Sequence, residues 1–220
     1  MIDRSLVYAS QDYRGEATPA AGTLSLDRSR EKNNGTETSV GYTKLPSGLW
    51  VHTQNAETDK VALGTAESLN FTSQNFSGVL WIYLTDLATN HYILNKGTIA
   101  NNGWNFAVES TGRLSFSTSD GTLDQTRSAV SQFSINTWYF VAFYRSSITA
   151  KVFSQAVDIT SLSGTHNNPV SISDTCYLAS YRGASQGIRG MYALARIWVR
   201  ALSAGEIANI YNSERSLFGL

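Results

Sequence analysis

The chain is short of the features that mark several protein classes. It has one cysteine, Cys176, and three prolines in 220 residues, and only 15% of its residues are charged. A lone cysteine makes no intrachain disulfide and no cysteine cage for zinc, so stability has to come from packing. Nowhere do 18 apolar residues run together, and the opening Met-Ile-Asp-Arg-Ser-Leu-Val-Tyr has neither an apolar h-region nor a small-residue cleavage site. The expectation is a protein without a signal peptide or membrane insertion. It would be made in a cytoplasm and act on a virion surface or outside the cell. Seventeen basic side chains balance seventeen acidic ones with no basic run, which argues against an electrostatic nucleic-acid binder. Three Asn-x-Ser/Thr sequons, at Asn34, Asn70 and Asn75, carry little meaning in a chain so rich in Asn, Ser and Thr.

What is present is a folded composition: 42% hydrophobic, 11% aromatic, and long enough to bury a sizeable core. The dominant period is two. Trp104, Phe106 and Val108 alternate with Asn105 and Ala107, Gly112 makes a turn, and Leu114, Phe116 and Thr118 alternate with serines up to Asp120-Gly121. That is a hairpin followed by another turn. Trp138 to Tyr144 is apolar on both parities, as a central strand covered on both faces would be. Further strands are expected at 79–84, 91–95, 149–153, 176–180 and 191–199. Ser203-Ala204-Gly205-Glu206 is a capping box opening a short helix, with Ile207, Ile210 and Tyr211 on one face. Short strands with Gly, Asn and Ser between them predict an all-β antiparallel sandwich. It would form one domain over 23–220, preceded by an arm or first strand over 1–22 that could anchor the module.

These residues also carry a family resemblance. The run Gly190-Met191-Tyr192-Ala193-Leu194-Ala195-Arg196-Ile197-Trp198-Val199-Arg200-Ala201-Leu202-Ser203, followed by Glu206-Ile207 and Tyr211, resembles the ending of laminin-G-like, concanavalin A-like jelly rolls. Phe76 with Trp81, Ile93-Leu94-Asn95-Lys96-Gly97, Trp138-Tyr139-Phe140-Val141-Ala142, and Leu26-Asp27-Arg28-Ser29 with Asn34-Gly35-Thr36 match other elements of that pattern in order. The resemblance spans about residues 24 to 215 and implies the jelly-roll fold, which carries lectins, adhesion modules, glycanases and virion proteins alike. Where the family has Asp-Glu in its penultimate strand, this chain has Ala193-Leu194. Asp59 stands where relatives often place a calcium-ligating Asp. One carboxylate rarely holds a hard cation, so a solvated strand-end side chain is favoured and no cofactor is expected.

Catalytic constellations are missing from the pattern. Glycanases of this superfamily use a Glu-x-Asp-x-Glu strand, and Glu57-x-Asp59 here is followed by Val61. Gly183-Ala184-Ser185-Gln186-Gly187 fits the nucleophile elbow of serine hydrolases, yet a strand pattern follows it and His52, His91 and His166 all precede it. The expectation is therefore no enzyme. The resemblance puts Trp81 and Trp138 at core positions of the family, whereas Trp104 and the pair Tyr181-Arg182 border loops and are the candidates for ligand contact, with Asn102, Asp120, His166 and Asn167 supplying polar groups nearby. The functional expectation is a non-catalytic adhesion or structural module displayed on a virus or phage particle, with other virion proteins, copies of itself and surface glycans as partners. The alternative is a carbohydrate-binding module or lectin of a polysaccharide-processing system.

Overall fold

A computed structural model describes residues 3–10, 13–14 and 24–220, with the backbone alone at 13–14. Among these residues seventeen strands form two antiparallel sheets, and one helix follows them. In chain order the strands are β1 (Leu6–Ala9), β2 (Tyr13–Arg14), β3 (Thr36–Thr38), β4 (Gly41–Lys44), β5 (Leu49–Gln54), β6 (Lys60–Gly64), β7 (Phe76–Leu84), β8 (His91–Thr98) and β9 (Asn102–Val108). They continue as β10 (Leu114–Ser119), β11 (Leu123–Ser128), β12 (Trp138–Ser146), β13 (Thr149–Ser154), β14 (Val157–Asp158), β15 (Thr160–Leu162), β16 (Cys176–Leu178) and β17 (Gly190–Trp198). The helix α1 spans Ala204–Glu214. The first sheet runs β14-β13-β12-β7-β17-β5-β2, with β1 on β17 and β4 on β5, and the second runs β15-β11-β10-β9-β8-β16-β6-β3. The antiparallel sandwich and its short C-terminal helix are thus as the sequence pattern predicts. Part of the 1–22 segment is strand, β1 and β2; residues 1–2, 11–12 and 15–23 lie outside the described residues.

The period-two pattern explains which faces are buried. Phe76, Leu80 and Ile82 of β7, with Val141 and Phe143 of β12, point between the sheets. There they meet Leu94, Trp104, Phe106, Val108, Leu114 and Phe116 of the second sheet. The opposite parity of the first sheet is buried too: Val79, Trp81, Phe140 and Ala142 pack under Ile207 of α1 and Phe218 beyond it. Hence Trp138 to Tyr144 is apolar on both parities. The Ser203 hydroxyl accepts from the Glu206 N–H at 3.2 Å, and the Glu206 carboxylate accepts from the Ser203 N–H at 2.8 Å, completing the capping box. At Ala193-Leu194, where relatives carry two acids, β17 has a bulge with Leu194 at φ 53°, and both side chains turn toward the helix-side core.

The strands not singled out from sequence are chiefly β3 to β6 and β11. β11 is Leu-Asp-Gln-Thr-Arg-Ser, a segment too polar to announce itself, and only Thr126 and Ser128 in it are buried.

Candidate functional site

With α1 over the outer face of the first sheet, the outer face of the second is the one that helix leaves free. The alternation that sends Trp104, Phe106 and Val108 inward sends Asn105 and Ala107 outward. Pairing registers then align outward side chains in rows across four strands. One row is Asn95, Asn105, Ser117 and Gln125; the next is Tyr92, Ala107, Ser115 and Arg127. Small side chains at Ala107 and Ser115 between tall ones at Tyr92 and Arg127 leave a groove of about 180 Å³, with Ile99 of the β8–β9 turn at its edge.

The polar side chains of the first row have partners except in one place. Asn95 accepts from the Arg182 N–H at 3.0 Å and donates to the Gly97 carbonyl, and Gln125 donates to Ser117 Oγ at 3.2 Å. Asn105 is 1% exposed, yet neither its amide oxygen nor its amide nitrogen has a partner. Leaving a buried amide unpaired costs about 1–3 kcal/mol, so a protein keeping one in a groove invites a ligand to complete it. On the groove wall the Arg127 Nε lies 2.9 Å from Glu109 Oε1, so the two charges offset each other, although the Nε–H is not aimed at that oxygen and makes no hydrogen bond. Burial pushes the Tyr92 phenol up to about 12, which keeps it an uncharged hydroxyl.

Two larger hollows, about 350 and 370 Å³, lie beside Leu217, close after α1. Neither is lined by a buried polar side chain without a partner.

The residues anticipated from sequence divide into three sets. Tyr181 and Arg182 lie beside the groove without lining it: the Tyr181 ring packs on Tyr92 at 4.4 Å between centroids, and the Arg182 N–H binds Asn95 of the outward row. Trp104 does not face the groove. It is 2% exposed and faces inward against Phe71 and Phe76, because the parity that exposes Asn105 buries its neighbour; its assignment as a ligand contact is corrected. Asn102, Asp120, His166 and Asn167 come together as a clasp holding the 163–175 loop. Asn102 exchanges two bonds with the backbone of Val170, and Asn167 donates to Asp120 Oδ1 at 2.7 Å and to the Thr122 carbonyl. His166, 1% exposed, sits between Thr118 Oγ1 at 2.9 Å and Thr126 Oγ1 at 2.8 Å, and burial lowers its pKa to about 4. These side chains serve the loop, and both ring nitrogens of His166 are taken by threonine hydroxyls.

Asp59 is not the solvated strand-end side chain anticipated for it. It is 5% exposed, and its Oδ2 accepts from the Asn55 and Ala56 N–H groups, both at 2.9 Å, closing the turn before β6. Glu57 is engaged by Arg189 at 2.7 Å. Among the described residues no group of three or more His, Cys, Asp or Glu side chains is placed to hold a metal ion. The sequence reading missed Asn105, Tyr92, Gln125 and the Glu109–Arg127 pair. The signal was the same alternation, taken on its polar parity.

An antiparallel sandwich with one face under a helix and a polar, grooved outer sheet belongs to the class of lectin-like β-sandwiches. A laminin-G-type sequence profile of the concanavalin A-like lectin/glucanases superfamily matches residues 55–208, and the chain belongs to that superfamily. No curated protein sequence matches the chain. Among solved structures it is similar to the binding domain of Paraclostridial Mosquitocidal Protein 1, with TM-score 0.74 and 15% identity over 95% of this chain and 52% of that one. It is also similar to the botulinum neurotoxin serotype G binding domain, with TM-score 0.70 and 15% identity over 96% of this chain and 51% of the other. A third is the serotype D ligand binding domain in complex with N-acetylneuraminic acid, with TM-score 0.69 and 16% identity over 97% and 52%. At these identities the likeness is one of fold, and this chain spans about half the length of those structures.

Proposed function

We propose that the protein is a non-catalytic glycan-binding module whose site is the groove on the outer face of the second sheet. The observation that carries this reading is Asn105, a buried amide with both ends unpaired on the floor of a groove walled by Tyr92, on which Tyr181 packs. An aromatic wall beside convergent amides suits the mixed apolar and hydroxyl-bearing surface of a sugar. The solved binding domain that holds N-acetylneuraminic acid lends the reading support at the level of fold. Binding is favoured over turnover because glycoside cleavage requires two carboxyl groups across the scissile bond. Glu109 is the carboxylate lining the groove, and it is paired with Arg127.

Glycan-array binding by the wild type, reduced at least about tenfold by Asn105→Ala and by Tyr181→Ala, is the expected result, since loss of one good contact is worth about 1.4 kcal/mol. Retention of binding by both variants would place the site elsewhere. Display on a virus or phage particle is a second, separate part of the proposal. A polar, weakly charged module in many copies on a lattice would gain avidity from weak single contacts, and mass spectrometry of purified particles tests for its presence there.

A further inference from the structure

The floor of the groove distinguishes between kinds of sugar. Whichever way round its amide lies, Asn105 offers one unpaired acceptor and unpaired donors side by side. Two hydroxyls on neighbouring ring carbons match this, because each both donates and accepts and the two lie about as far apart as the oxygen and nitrogen of one amide. N-acetylneuraminic acid has its neighbouring hydroxyls on a flexible glycerol chain and none on its ring, and its carboxylate only accepts. Laid on Asn105, it would satisfy the nitrogen and set a second lone pair against Oδ1. Nor does the wall carry a net charge: among the described lining residues the cation is Arg127, whose Nε stands 2.9 Å from Glu109 Oε1, so the formal charges there cancel even though that N–H is not aimed at the carboxylate. An anion approaching Arg127 would lie beside the Glu109 carboxylate, whose like charge opposes it.

Size adds a second limit. About 180 Å³ is below the usual range for drug-sized ligands and holds about one sugar ring, with Ile99 and Ala107 offering apolar contact to its C–H groups. Building on the glycan reading above, we infer that the groove takes the vicinal diol of an uncharged terminal sugar ring and discriminates against N-acetylneuraminic acid.

The test is calorimetric titration of the full chain with the methyl glycosides of glucose, galactose and mannose, their mono-deoxy derivatives, and N-acetylneuraminic acid. At least one neutral glycoside should bind. Removing either of two adjacent hydroxyls should weaken it tenfold or more, and Asn105→Ala should weaken the parent by a similar factor while making the deoxy derivative no worse. Asn105→Asp, nearly isosteric and without the donor, should lose binding likewise, and its circular dichroism and melting curve report whether the fold is kept. Tighter binding of N-acetylneuraminic acid at an Asn105-dependent site would overturn this inference and leave the glycan reading standing. Neutral-sugar binding indifferent to Asn105 would overturn both the diol and the site. Binding of no saccharide at all would remove the glycan reading itself.

Discussion

Asn105 and Trp104 are adjacent in the chain and opposite in role, and the contrast shows what a loop-proximity argument misses. Trp104 sits at the start of β9 beside Asn102-Gly103, which suggested contact with a ligand, but the strand parity places it between the sheets. Asn105 carries the opposite signature, a buried polar group without partners. Its removal should therefore stabilise the fold: Asn105→Ala is expected to raise the unfolding free energy by about 1 kcal/mol in urea titration while weakening glycan binding. A loss of stability would mean that the amide has a structural partner. His166 gives a second residue-level prediction. Burial lowers its pKa to about 4 from a reference value of 6.5, so between those values the unfolded chain binds the proton that the folded chain refuses. The stability contributed is full above pH 6.5 and is lost as pH falls toward 4, by about 3 kcal/mol at most. Urea unfolding at pH 7 and pH 4.5 should show a smaller drop for His166→Gln than for the wild type.

At the scale of elements, the segments readable from sequence were those whose two faces differ sharply or whose ends carry specific chemistry. The β9–β10 hairpin announced itself through the alternation of Trp104, Phe106, Leu114 and Phe116 with small polar residues, and α1 through its Ser203–Glu206 box. β11 did not, because its inward side chains include Asp124 and Thr126 and its outward ones are Gln125 and Arg127, so neither face reads as core. Since β11 supplies one wall of the groove, half of the site was hidden with it. The β8–β9 hairpin has its own constraint. Gly103 has φ 123°, and a Cβ there would stand 2.0 Å from the Lys96 carbonyl oxygen. Backbone cannot yield as a flexible side chain would, so Gly103→Ala should cost about 2–3 kcal/mol in urea unfolding. Because Ile99 and Asn105 lie on either side of this position, the same change should also impair sugar binding. Ser203→Ala, at the far side of the first sheet, should cost about 1 kcal/mol and leave binding unchanged.

For the whole molecule, the two sheets differ in what covers them. The first is buried on both sides, by the inter-sheet core and by α1, and the second presents a polar outer face with a groove in it. The balanced and sparse charge of the chain acquires a meaning in that setting. Seventeen positive and seventeen negative side chains leave no net charge, and the ion pair on the groove wall is internally neutral. An interaction with an uncharged sugar at such a site has no long-range Coulomb component for salt to screen. Raising sodium chloride from about 50 to 500 mM shortens the screening length several-fold, yet the dissociation constant for a neutral glycoside should change by less than about twofold. An anion held by exposed cations would weaken markedly over the same range. Titration at the two salt concentrations separates the cases, and a steep salt dependence would show that ligand recognition runs through charges outside the groove rather than through the amide floor and aromatic wall.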